Sequence, residues 1–316
     1  MNAELYRKLQ QLLLAGEAPQ LTSALEPEQL GREQLVWPGG KLGEDLSGAV
    51  YTQTLNAPVR LVICGGGHVA QALAPAALQV GFRVTVLENR PDILEQGHFP
   101  PEAELRCGAF EELLAAPDFG SDSFYAIMTR GHKEDWTCVR AVLNRQRGYL
   151  GMIGSRKKVA ATREMLLEAG IAQEEIDSIH APIGLAIGAE TPAEIAVSIV
   201  AQLIQCRKAL GREAPLEHSV IAALDRTPYA MVTLVDCQGS SPRGPGARML
   251  VFPDGSIEGT IGGGISEAYA KTRGIQALET GKAELGTYRL DGTAGSICGG
   301  CVQYLVIPVK EDTCSC

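Results

Sequence analysis

A doubly wound parallel α/β sheet joined to a smaller α+β domain is the architecture this sequence predicts. Three observations carry the prediction. Between residues 59 and 210 strand-like apolar runs alternate with helical periodicity. A glycine-rich turn lies between the first of those runs and the helix that follows it. Beyond residue 217 the composition changes to short strands separated by glycine turns. The chain has 316 residues, more than one ordinary domain, and its 45% hydrophobic and 21% charged content suits a folded protein with two cores.

Residues 1–58 contain one amphipathic helix and read as an N-terminal appendage. Residues 59–64, Val-Arg-Leu-Val-Ile-Cys, form a nearly continuous apolar run, as a parallel strand covered on both faces should. A helix over 69–80 follows, then Gly81 and a second strand over 83–87; further strands fall at 104–107, 124–129 and 149–153. The last helix opens at Thr191-Pro-Ala-Glu194 and runs to about Leu210. Thr191 can cap it, Pro192 suits its first position, and Glu194 stands where a capping box places its carboxylate. Residues 59–210 thus make the first domain, with a polar linker after it. The second, 217–309, holds strands at 229–235, 248–252 and 302–309, an Asp254-Gly255 turn and a helix over 266–279, and 310–316 is a C-terminal tail.

Charge and hydropathy exclude several classes of function. A net charge of -9 argues against nucleic acid as a partner, since a phosphate-binding surface needs clustered Lys and Arg. The longest mostly apolar stretch, 194–203, is broken by Ser198 and Gln202 and is far short of the roughly 20 apolar residues that span a bilayer. Charged and apolar residues alternate at the N-terminus, so no secretion signal or membrane is expected and the protein should be cytoplasmic. Its nine cysteines are then reduced thiols, and Cys64, Cys107, Cys138, Cys206 and Cys237 read as small buried hydrophobes.

The turn at Gly65-Gly66-Gly67-His68-Val69-Ala70 has the form G-x-G-x-x-A between strand and helix, the fingerprint of a Rossmann-type dinucleotide-binding domain. Gly65 permits the tight turn, Gly67 lets backbone approach a pyrophosphate, and Ala70 allows close packing of the helix whose first amides, with His68, meet the phosphates. Glu88, at the end of the next strand, would bind a ribose diol and favour NAD over NADP; Arg90 weakens that preference. His132 follows a strand at the ligand edge and could be an acid or base, or part of a solvated loop. Gly154, Ser155 and Arg156 sit between strand and helix and suit an anion, although Ser155 would serve equally as an N-cap.

In the second domain, Ser240, Ser241 and Arg243 lie in one glycine-rich turn and Gly262, Gly263 and Gly264 in another. Together they could bring backbone donors against a phosphorylated ligand, while each alone is a tight turn. Glu267 follows in the first helical turn, where the dipole favours a carboxylate. Gly299 and Gly300 expose the Cys298 sulfur and leave amides to stabilise a thiolate. Cys298 and Cys301 could be a redox pair, half a metal site, or a single functional thiol with a bystander. Completion of a zinc site by Cys314 and Cys316 is disfavoured by their C-x-C spacing at a chain end, so no metal site is assigned.

Gly65–Ala70, the Gly151-Met-Ile-Gly-Ser-Arg156 segment, the Pro182-Ile-Gly-Leu-Ala-Ile-Gly-Ala-Glu-Thr-Pro-Ala-Glu-Ile-Ala196 segment, Gly239-Ser-Ser-Pro-Arg243, Gly262–Gly264 and Cys298-Gly-Gly300 together resemble the XdhC family of molybdenum hydroxylase accessory proteins. The resemblance implies binding of molybdenum cofactor (molybdopterin), its protection while a desulfurase supplies a terminal sulfur, and delivery to a xanthine dehydrogenase-like client. It also implies a Rossmann domain of nicotinamide type, taking NAD or NADP, and places Ser240, Ser241, Arg243, Gly262–Gly264 and Cys298 at the cofactor. Three features depart from the family pattern. The glycine-serine-serine domain follows the Rossmann domain instead of preceding it, which a domain-exchanged homodimer would accommodate. Glu88 replaces the usual Asp, and Cys301 is an extra thiol. Two further readings stay open: an NAD-dependent oxidoreductase acting on a small substrate through His132 or Cys298, and a thiol-based redox sensor. The Gly65–Ala70 turn could also hold the pyrophosphate of a pterin dinucleotide.

Overall fold

A computed structural model describes residues 3–116, 119–210, 216–239, 243–290 and 300–311. The chain forms two compact units, one of Pro58–Ala214 and the other of Met1–Ala57 with Pro215–Cys316.

The N-terminal segment opens with helix α1 (Ala3–Leu14), whose Leu5, Tyr6, Leu9, Leu12 and Leu13 are buried at helical spacing. Strands β1 (Gln20–Ala24), β2 (Glu33–Trp37), β3 (Gly40–Gly43) and β4 (Val50–Thr54) follow as an antiparallel sheet in the order β3-β2-β1-β4. The expected helix is present; the sheet was not expected. Its strands are four or five residues long, and exposed and half-buried positions alternate along β4, so they lack the apolar runs by which strands are read.

The Pro58–Ala214 unit runs β5 (Arg60–Cys64), α2 (His68–Gln79), β6 (Arg83–Glu88), α3 (Pro91–Gln96), β7 (Glu104–Cys107), α4 (Phe110–Leu114), β8 (Phe124–Ile127), α5 (His132–Leu143), β9 (Tyr149–Met152), α6 (Arg156–Glu168), α7 (Gln173–Asp177) and α8 (Pro192–Ala209). All five strands are parallel, in the order β7-β6-β5-β8-β9, so the winding reverses between β5 and β8 and opens a crevice at their carboxyl ends. Period-2 alternation divides β5 between two cores. Leu61 and Ile63 pack with Leu73 and Ala74 of α2 and Ile199 and Leu203 of α8, while Val62 and Cys64 pack with Val139 and Val142 of α5 on the other face. The α8 capping box forms as the sequence predicts: the Thr191 hydroxyl accepts from the Glu194 amide at 3.3 Å, and the Glu194 carboxylate accepts from the Thr191 amide at 3.0 Å.

The chain then returns through α9 (His218–Ala223), β10 (Tyr229–Gly239), β11 (Arg248–Val251), β12 (Ile257–Gly259), α10 (Gly264–Thr280), β13 (Glu284–Leu290) and β14 (Gly300–Val309). The second antiparallel sheet has the order β12-β11-β10-β14-β13. On one face, Ala230, Val232 and Leu234 of β10 pack against Ala270 and Ala277 of α10. On the other, Tyr229 and Met231 of β10 and Leu250 of β11 share a core with Leu9 and Leu13 of α1, Leu21 of β1 and Leu35 of β2. Residues 1–57 are therefore not an appendage. They cover the apolar second face of a sheet that would otherwise meet water, so this unit is built from both ends of the chain.

Buried polar groups reinforce that face. Arg248, 3% exposed, donates to Gln53 Oε1 at 2.5 Å, and the buried Glu33 accepts from Ser23 Oγ at 2.8 Å. Burial lowers the Arg248 pKa while charge interactions with Tyr6 and Glu33 oppose that shift. Among the cysteines, Cys64 and Cys138 are buried as expected, Cys206 and Cys237 are half-buried, and Cys107 is exposed because β7 is an edge strand. No helix among the described residues is long and apolar enough to cross a membrane.

Candidate functional site

The glycine turn joins β5 to α2 at the crevice. Gly65 has φ of +114°, and a Cβ there would stand 2.5 Å from the Met128 carbonyl oxygen of the neighbouring strand end, so glycine is required. Gly67 differs: its φ is -69°, nothing lies within 4 Å of where its Cβ would be, and it is the N-cap of α2 without a side-chain cap. His68 opens the helix on the exposed side, and Ala70 is buried against the sheet, which brings the helix close. This open, uncapped turn fits a pyrophosphate.

Glu88 is buried and held from several directions. Its Oε2 accepts from the Gly66 amide at 2.8 Å, and its Oε1 accepts from the Asn89 amide at 3.0 Å. The Arg90 guanidinium lies alongside, Nε to Oε1 at 3.1 Å and Nη2 to Oε2 at 3.2 Å. Burial alone would push this carboxyl up; the guanidinium and the Gly66 and Asn89 amides outweigh it and hold it below the usual glutamate range. A cavity of about 270 Å³ adjoins this cluster, walled by Glu88, Asn89, Arg90, Phe110, Thr129, Arg130, Gly131 and Glu134.

At the same carboxyl edge the structure assembles a group the sequence did not reveal. Asp135, fully buried in the first turn of α5, accepts from Thr129 Oγ1 at 2.7 Å and pairs with the Lys158 ammonium from the first turn of α6. Lys158 reaches it by folding back over Gly154, whose missing side chain leaves room: a Cβ there would be 3.0 Å from Lys158 Cδ. Ser155 caps α6 by accepting from the Lys158 amide at 3.3 Å, so the N-cap alternative for this residue is realised, and Arg156 is exposed. A cation in the first turn opposes the helix dipole, and the buried carboxylate compensates it. Spacing along the chain gave no signal for this pair, since the two residues lie on different helices. His132 opens α5, and its side chain lies outside the described residues.

In the other unit, strand register gathers the candidate segments. Gly239 at the end of β10 is the cross-strand partner of Gly300 at the start of β14, so β10 ends and β14 begins at one end of the sheet. The register shift between Leu234 and Asp236 marks an irregularity in β10 on the approach to that end. β12, paired through Gly259 to Met249, runs toward the same end before the Gly262–Gly264 turn. Ser240, Ser241, Cys298 and Gly299 lie outside the described residues, as do Cys314 and Cys316. Arg243 forms an ion pair with Glu217 at 3.2 Å.

The Gly262–Gly264 turn departs from expectation. Its three glycines have φ of +125°, +73° and +70°, a curl that directs the loop's donors inward. Glu267 Oε2 accepts from the Ile261 amide at 3.0 Å, the Gly263 amide at 3.1 Å and the Thr260 hydroxyl, while the Gly262 amide donates to Thr260 Oγ1 at 3.0 Å. The Gly262 and Gly263 amides expected to face a ligand close on their own loop, and Glu267 is the residue that sequence reasoning assigned only to the helix dipole. Among the described residues, no cluster of His, Cys, Asp or Glu could hold a metal ion.

Comparison with known proteins follows this division. The family model for the XdhC Rossmann domain matches residues 61–203, and that for the XdhC and CoxI family matches residues 222–289. The Escherichia coli protein YqeB, described as uncharacterized, is 35% identical over 52% of this chain and 31% of its own length. A Bacillus subtilis protein described as a probable subunit of xanthine dehydrogenase is 31% identical over 50% of this chain and 46% of its own. The chain thus spans less than half the length of each of these curated relatives, 31% of one and 46% of the other. A crystal structure of a xanthine dehydrogenase from Bacillus halodurans superimposes with a TM-score of 0.56 at 28% identity, over 63% of this chain and 62% of that one.

Proposed function

This chain belongs to the XdhC family, and from that premise we propose that it is a maturation factor for a molybdenum hydroxylase of xanthine dehydrogenase type. In this reading the unit built from both chain ends holds molybdenum cofactor at the sheet end where Gly239 pairs with Gly300. The Rossmann unit binds a dinucleotide at Gly65–Ala70. A desulfurase supplies the terminal sulfur, and the client enzyme receives the finished cofactor from a cytoplasmic homodimer. The redox chemistry belongs to the cofactor; this chain contributes binding and exclusion of water.

The observation that carries the reading is the register pairing of Gly239 with Gly300, which sets two glycines some sixty residues apart in sequence side by side at one sheet end. The test is to produce the chain in cells that make molybdopterin and to measure bound molybdenum and pterin for wild type and Cys298→Ala. Wild type should carry both and the variant should lose them; equal, near-zero loading in the two overturns the proposal.

A second reading, an NAD-dependent oxidoreductase acting on a small substrate, draws support from the Thr129, Asp135 and Lys158 cluster beside the crevice. Hydride exchange between NADH and a substrate, abolished by Lys158→Met, would favour it over the first.

A further inference from the structure

We infer that the cavity beside the glycine turn takes the ribose end of an NAD-type dinucleotide with a free 2′-hydroxyl and rejects the 2′-phosphorylated form, because Arg90 is committed to Glu88. This rests on the dinucleotide reading above. The cavity, about 270 Å³, is just below the range of sites that enclose a whole small-molecule ligand, and suits one end of a dinucleotide whose pyrophosphate lies at Gly67.

An arginine placed just beyond the second strand can serve as a receptor for a 2′-phosphate. From sequence alone, Arg90 therefore blurs the preference set by Glu88. The geometry removes that ambiguity. Arg90 meets Glu88 through two roughly parallel bonds, Nε to Oε1 at 3.1 Å and Nη2 to Oε2 at 3.2 Å, the fork arrangement that is strongest for this pair. Glu88 cannot follow the guanidinium outward, because the Gly66, Asn89 and Arg90 amides hold its oxygens at 2.8, 3.0 and 3.2 Å. Swinging Arg90 onto a phosphate would thus leave a buried carboxylate, 1% exposed, without its cation.

The charges in the wall give the same answer. Glu88 and Glu134 balance Arg90 and Arg130, so a 2′-phosphate would find no surplus positive charge. It would also be brought against the Glu88 and Glu134 carboxylates, whereas a ribose diol carries no charge and can donate to the Glu134 carboxylate in the same wall while the Arg90–Glu88 fork stays closed.

Titration calorimetry of the full-length protein with NAD⁺ and with NADP⁺ tests the inference. Wild type should bind NAD⁺ tighter than NADP⁺ by about tenfold or more. Glu88→Gln keeps an oxygen for the Gly66 amide but releases Arg90, so the preference should fall toward unity, chiefly through a gain for NADP⁺. Equal or tighter binding of NADP⁺ by wild type overturns the inference while leaving the dinucleotide site standing. A Glu88→Gln protein that still binds NAD⁺ with an unchanged ratio also overturns it. No binding of either dinucleotide overturns the dinucleotide reading itself. If Glu88→Gln does not fold, the wild-type ratio alone decides.

Discussion

Glycine is obligatory at position 65 and a matter of ligand access at position 67. Gly65 combines a left-handed φ with a backbone oxygen 2.5 Å from the absent Cβ, so Gly65→Ala should cost about 3 kcal/mol or more in denaturant unfolding. Gly67 has an ordinary φ and open space, so Gly67→Ala should change stability by less than about 0.5 kcal/mol. The same substitution should nevertheless weaken NAD⁺ binding; a Gly67→Ala protein with wild-type affinity would separate this turn from the pyrophosphate. Glu88 adds a pH dependence of known sign. Its folded pKa lies below the ordinary 4.5, so its contribution is complete above 4.5 and is lost as pH falls through the lower folded value. Glu88→Gln should therefore unfold with a shallower acid limb than wild type in pH-dependent denaturation. These residues were legible in the sequence because G-x-G-x-x-A followed by an acid encodes local backbone geometry. The partnership of Glu88 with Arg90 was only half legible, since proximity does not say which way a guanidinium turns.

Elements whose signals are local were read well. β5 announces itself as a continuous apolar run because both its faces are covered, and α8 by a cap that forms as Thr191 and Glu194 predict. Thr191→Ala should lower stability by about 1 kcal/mol, and an unchanged unfolding midpoint would show that the cap adds nothing beyond the tertiary packing of α8. Elements whose identity depends on a partner were missed. β12 and β13 edge their sheet, and β1 to β4 alternate short polar and apolar residues that gain meaning only beside β10 and β14. The same limit hid the α5 to α6 link. Asp135 is fully buried and Lys158 18% exposed, so Lys158→Met should cost about 3 kcal/mol by leaving the carboxylate uncompensated. Replacing both residues, Asp135→Asn with Lys158→Met, should recover much of that loss in urea unfolding; a double variant no better than the single would mean that the pair does not act as a pair.

At the scale of the whole chain, the unit expected from residues 217–309 cannot be closed by them. One face of its sheet is covered by α10, and the other exposes Tyr229, Met231 and Leu250 unless α1, β1 and β2 cover them. Binary patterning alone cannot say which distant segment covers a given face, so residues 1–58 read as an appendage although they supply half a core. The family models follow the same division, matching 61–203 and 222–289 but leaving the N-terminal segment unmatched. A consequence distinguishes this architecture from two consecutive domains. Leu9 is fully buried in the shared core, and Leu9→Ala should cost about 2–5 kcal/mol. That loss should be felt far along the sequence: in hydrogen exchange, amides of β10 and β11 should lose protection, while those of β5 and β6 keep theirs. Undiminished protection in β10 and β11 would mean that the N-terminal helix is dispensable to that sheet, and the molecule would have to be redrawn as a Rossmann unit with independent neighbours on either side.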